Sequence, residues 1–122
     1  TDGALMKKVN IYIIVDFRKG QSSPWEVLLR CNNHEKSITG NHKARTEGGL
    51  KTYALKTAID SLKADCHIDV YALPAGLKDL VFSDNKPEML AKCIPKISQF
   101  FWLREHDLPY YLDPVVCRVE GQ

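Results

Sequence analysis

The 122-residue chain is predicted to fold as one α+β domain with five strands, in the order β-β-β-α-β-α-α-β. Three features carry this. The run VNIYIIV, Val9 to Val15, is dense in β-branched residues and interrupted only by Asn10. At Thr46 the spacing of apolar residues changes to steps of three and four, the helical period. At Cys66 the pattern reverts to a strand.

The first strand runs from Val9 to Asp16, apolar enough for both faces to be covered, and ends on a carboxylate before the Gly/Ser/Pro-rich loop RKGQSSP. WEVLLRC is the second strand, NNHE the turn and KSITGN a weaker third strand, which together read as an antiparallel meander. From Thr46 to about Ala64, Leu50, Ala54, Leu55, Ala58, Ile59 and Leu62 form one apolar stripe of a helix. Thr46 is its cap, Glu47 suits the positive end of the dipole, and Gly48 and Gly49 let another backbone or a ligand come close.

CHIDVYAL is the fourth strand, terminated by Pro74. A short helix is expected over Ala75 to Phe82, and a longer one from Pro87 carrying Met89, Leu90, Ile94, Ile97, Phe100 and Phe101, kinked or divided at Pro95. At that spacing the aromatic residues belong to the core, with a base-stacking platform including Trp102 as the competing reading. REHDLPYYLDP reads as irregular chain and VVCRVEG as the last strand. Residues 1–7 read as a tag remnant or mobile arm, and residues 8–122 as a single domain.

Composition narrows the function classes. No apolar run reaches the ~18 residues of a membrane span. Cys31, Cys66, Cys93 and Cys117 form no C-x-x-C pair and no regular spacing with histidines, which argues against zinc and for buried thiols in a reducing cytoplasm. Cys66 beside His67 is no catalytic pair, because neighbours on a strand point to opposite faces. No phosphate loop or Gly-x-Ser-x-Gly motif occurs. The net charge of +2 is too small to prove a polyanion partner, but His42, Lys43, Arg45, Lys51 and Lys56 concentrate base near the helix start. Lys43, Arg45 and Lys51 are candidate phosphate contacts there, with Gly48 and Gly49 permitting close approach to the helix N-terminus.

The order of elements, with TAIDSLKADCHIDVY (an Ala-x-x-x-Leu helix end, a polar turn, a β-branched strand) and the closing VVCRVEGQ, resembles the ribonuclease H family. The resemblance spans nearly all of Lys8 to Gln122 and implies a five-stranded mixed sheet, the first strand lying between the second and fourth and parallel to the fourth. It also implies contact with an RNA/DNA hybrid and hydrolysis by two Mg2+ or Mn2+ ions. Such ions sit about 3.5–4 Å apart and need clustered acids. The family takes those acids from the first strand, the first helix, the end of the fourth strand and a last helix.

Asp16 matches the first of these, with Phe17 where a small residue is usual. Carrying the register back from AIDSL puts Lys51 at the helix Glu, and carrying it along the fourth strand puts Leu73 at the second Asp. Glu47 lies one turn too early and reads as a surface residue, Asp69 is expected to face solvent at the far end of its strand, Asp79 lies on the next helix, and Gln122 takes a His position. The resemblance is thus to a degenerate member lacking most catalytic carboxylates. The leading expectation is a non-catalytic domain with no cofactor that binds nucleic acid (hybrid, duplex or single strand) or a nucleic-acid-processing assembly. Two alternatives stay open: an active metal-dependent nuclease using Asp16, and a protein-interaction adaptor.

Overall fold

The computed structural model describes residues 7–105. Strand β1 (Lys8–Val15) pairs antiparallel with β2 (Ser22–Cys31), which pairs antiparallel with β3 (His34–Lys43). The β2–β3 turn is only Asn32-Asn33, and Asn32 takes the left-handed conformation (φ 56°) that asparagine tolerates better than most residues. The chain continues through α1 (Glu47–Asp60), β4 (His67–Ala72), α2 (Leu77–Val81), α3 (Glu88–Cys93) and β5 (Ile97–Trp102). The five strands make one mixed sheet in the order β3-β2-β1-β4-β5, with β1, β4 and β5 parallel. The expected placement of the first strand, between the second and the fourth and parallel to the latter, is what is found.

One face of the sheet carries the main core. Val9, Ile11 and Ile13 of β1, Val27 and Leu29 of β2 and Ile68 and Val70 of β4 pack against Leu50, Ala54, Leu55 and Ala58 of α1, with Leu77 and Leu90 from the short helices. The alternate residues build a smaller cluster on the other face, where Tyr12 and Leu28 are buried. There Tyr12, Tyr71 and Phe101, neighbours across β1, β4 and β5, stack with ring centroids 4.7 and 4.6 Å apart. No helix among the described residues is long and apolar enough to cross a membrane.

The chain after Pro87 corrects the sequence expectation. Instead of a helix reaching Phe101, α3 ends at Cys93, a 3-10 turn spans Ile94–Lys96, and Ile97–Trp102 is a strand. Pro95 has no N–H to continue the helix, and ISQFFW pairs with β4 through Val70↔Phe100, Tyr71↔Phe101 and Ala72↔Trp102. Phe100 and Trp102 therefore pack on one face and Phe101 on the other. The strand expected at VVCRVEG lies outside the described residues.

Candidate functional site

The C-terminal ends of parallel strands β1 and β4 open beside the first turn of α1. Thr46 caps that turn, its hydroxyl oxygen accepting from the Gly49 N–H at 3.0 Å, and Glu47 sits at the positive end of the dipole. One turn on, Lys51 is 2% exposed. Its Nζ donates to Glu47 Oε2 at 2.9 Å, to the Leu73 carbonyl at 3.0 Å and to the Ala75 carbonyl at 2.8 Å. A lysine ammonium has three N–H donors, and here all three are used.

Beneath this contact α1 meets the segment after β4 backbone to backbone. A Cβ on Gly48 would stand 2.5 Å from the Gly76 carbonyl oxygen, and Gly76 itself has a φ of +74°. The first turn of α1 and residues 73–76 are thus joined twice, by close glycine packing and by the buried ammonium.

The other acids do not converge here. Asp16 follows β1, is exposed, and accepts from Arg18 Nε at 3.2 Å and Nη2 at 2.9 Å. Among the described residues it makes no hydrogen bond or ion pair with Lys51. Asp79 is exposed on α2. Asp69, expected to face solvent, is instead 5% exposed and paired with Lys8 at 3.0 Å. Glu47, expected to be a solvated dipole partner, is the carboxylate of the Lys51 pair. Gln122 lies outside the described residues.

These residues do not fit a magnesium pair. Magnesium needs near-octahedral oxygen ligands, mostly carboxylate and water. The sequence register expects the helix acid at residue 51, which holds an ammonium, and the second Asp at residue 73, where Leu73 offers only a carbonyl already bonded to that ammonium. Among the described residues no three His, Cys, Asp or Glu side chains come together as a metal site.

The basic cluster divides. Lys43 and Arg45 are exposed and, with Lys19, Gly20 and Ala44, line an open concavity of about 510 Å³. Lys19 was not singled out by the sequence, although RKG in the β1–β2 loop is a visible signal. His42 stacks on Tyr53 of α1 at 3.8 Å, and Lys56 pairs with Asp60. Lys51 is turned inward, so the phosphate contact expected of it has no exposed ammonium. Gly48 is buried against Gly76, which leaves no room there for a ligand, whereas Gly49 faces only Thr46 Oγ1 and Ala44 Cβ within 4 Å.

A β3-β2-β1-β4-β5 sheet with parallel β1, β4 and β5, covered by a long helix between β3 and β4, defines the ribonuclease H-like class. The chain is ribonuclease H-like in fold and in sequence. It is 32% identical over 69 residues to a ribonuclease H of Legionella pneumophila, covering 52% of this chain and 48% of that protein. A ribonuclease H of Acetivibrio thermocellus is 34% identical over 74 residues, covering 59% and 50%. That of Novosphingobium aromaticivorans is 28% identical over 104 residues, covering 68% and 73%. The chain spans about half the length of the first two of these relatives. Among solved structures, a ribonuclease H1 isolated from compost shares the fold with a TM-score of 0.53 at 19% identity, over 84% of this chain and 88% of that one. No family model matches the chain.

Proposed function

We propose that residues 8–122 act as a non-catalytic ribonuclease H-like domain that binds nucleic acid, with an RNA/DNA hybrid as the leading ligand and duplex or single strand as the others. The observation that carries this is the buried Lys51 ammonium, bonded to Glu47 and two carbonyls at the register position of a metal-binding acid. A fixed positive charge there opposes a divalent ion directly, and Arg18 occupies Asp16 in the same sense. Binding is assigned to Lys43 and Arg45, joined by Lys19. These three exposed cations have no carboxylate partner among the described residues, so each is available to neutralise a phosphate. The free thiols of Cys31, Cys66 and Cys93 support a reducing, cytoplasmic setting.

The test is a fluorescently labelled hybrid, duplex and single strand, titrated at low salt with and without Mg2+ or Mn2+. Binding without cleavage is expected, weakened by Lys43→Ala and by Arg45→Ala. Cleavage that disappears in Asp16→Asn would establish a metal-dependent nuclease instead. Failure of all three nucleic acids to bind at low salt, where phosphate attraction is strongest, would transfer the assignment to a protein partner.

A further inference from the structure

We infer that the Glu47 carboxylate and the carbonyl oxygens of Leu73 and Ala75 form a cation site whose resident cation is the ammonium of Lys51. This inference rests on the reading of this edge as non-catalytic, but stability measures it rather than binding or cleavage, so the two can fail separately.

The three acceptors belong to two separate pieces of chain, the first turn of α1 and the segment after β4, yet all lie within 3.0 Å of one nitrogen. Oxygens brought this close to one point repel each other unless a positive charge sits between them. In a metal-dependent site that charge would be an ion. Here the chain supplies it from residue 51, at 3% side-chain exposure. The ammonium matches the cage in number as well as sign, three donors for three acceptors, and it arrives already tethered. The Gly48–Gly76 contact fixes the same two segments against each other, so the oxygens cannot simply part when the charge is removed.

Two consequences follow from the chemistry. Wild-type protein has no use for a divalent ion at this edge, because its cation is built in. Replacing the ammonium by a second carboxylate turns the cage into two carboxylates and two carbonyls, an all-oxygen set. Calcium suits that set better than magnesium, because it accepts irregular geometry and carbonyl ligands at ~2.3–2.6 Å.

The experiment is thermal unfolding of the wild type, Lys51→Met and Lys51→Glu, in calcium chloride and in potassium chloride of matched ionic strength. The wild-type Tm should not respond to calcium. Lys51→Met should melt about 5–10 °C lower in both salts, since the Glu47 carboxylate and two partly buried carbonyls lose their donor. Lys51→Glu should melt lower still in potassium chloride and recover by about 5 °C or more in excess calcium. The inference is overturned if Lys51→Met melts with the wild type, if calcium raises the wild type as much as Lys51→Glu, or if folded Lys51→Glu ignores calcium. Should Lys51→Glu fail to fold even in calcium, reductive methylation of the native wild type decides. Lys51 should stay unmodified while Lys19 and Lys43 are dimethylated, and modification of all three at equal rates would overturn the assignment.

Discussion

Gly48 has the least freedom of any position around the Lys51 contact. Its missing Cβ would lie 2.5 Å from the Gly76 carbonyl oxygen and 2.8 Å from Leu80 Cδ1. The nearer of those atoms is backbone, held by α2 on one side and by the positive φ of Gly76 on the other. Gly48→Ala must therefore push α1 and the 73–76 segment apart, at a cost of about 2–3 kcal/mol, the upper range for overpacking. Thr46→Ala removes a single capping bond from the same turn and should cost about 1 kcal/mol. Urea unfolding of the two variants checks the order. A milder effect for Gly48→Ala would mean the two segments are free to separate.

Helix α3 docks on α1 through Cys93, which is 3% exposed. Burial pushes the Cys93 thiol above its ordinary value of 9.0. A thiol whose folded pKa is raised binds its proton more tightly in the folded state. Its contribution is complete below pH 9.0 and is lost as pH rises through the folded value. Lys8 and Lys56, raised by Asp69 and Asp60, act in the same direction from a higher starting point of 10.5. Stability should therefore decline on the alkaline side of pH 9, and Cys93→Ala should remove part of its earliest stretch, the rest coming from Cys66, whose thiol is also raised by burial. An alkaline limb unchanged in Cys93→Ala would show that the α1–α3 contact does not depend on the neutral thiol. The elements differ in how openly the sequence announced them. Strand β1 was legible from the β-branched enrichment of a seven-residue run, and helix α1 because its apolar stripe fits the helical period. Strand β5 was not, since Ile94, Ile97 and Phe100 repeat at three, which suits a helix, and only pairing with β4 makes them a turn and a strand. At the site, the sequence register puts Lys51 where an acid is expected. That its ammonium ends on carbonyls 22 and 24 residues away depends on where β4 stops, which no local pattern encodes.

Across the molecule the net charge is only +2, so long-range attraction to a polyanion is weak and the proposed binding must come from charges gathered in one place. Lys19, Lys43 and Arg45 are the gathered set. Each phosphate neutralised on duplex DNA contributes ~0.9 to the slope of log K against log salt, so three contacts give a slope of about −2.7. Lys43→Ala and Arg45→Ala should each flatten it to about −1.8 and weaken binding across sequences, because phosphates carry no sequence information. Lys51→Met discriminates between two pictures of the same basic region. If residue 51 met phosphate, as its sequence neighbours suggest, the slope would flatten just as it does for Lys43→Ala. With its ammonium turned onto Glu47 and the carbonyls of residues 73 and 75, the slope should stay at the wild-type value. The titration is run well below the melting temperature of Lys51→Met, so that lost stability does not masquerade as lost affinity. A slope flattened by Lys51→Met but not by Lys43→Ala would relocate the nucleic-acid surface from the β3–α1 corner to the helix start itself.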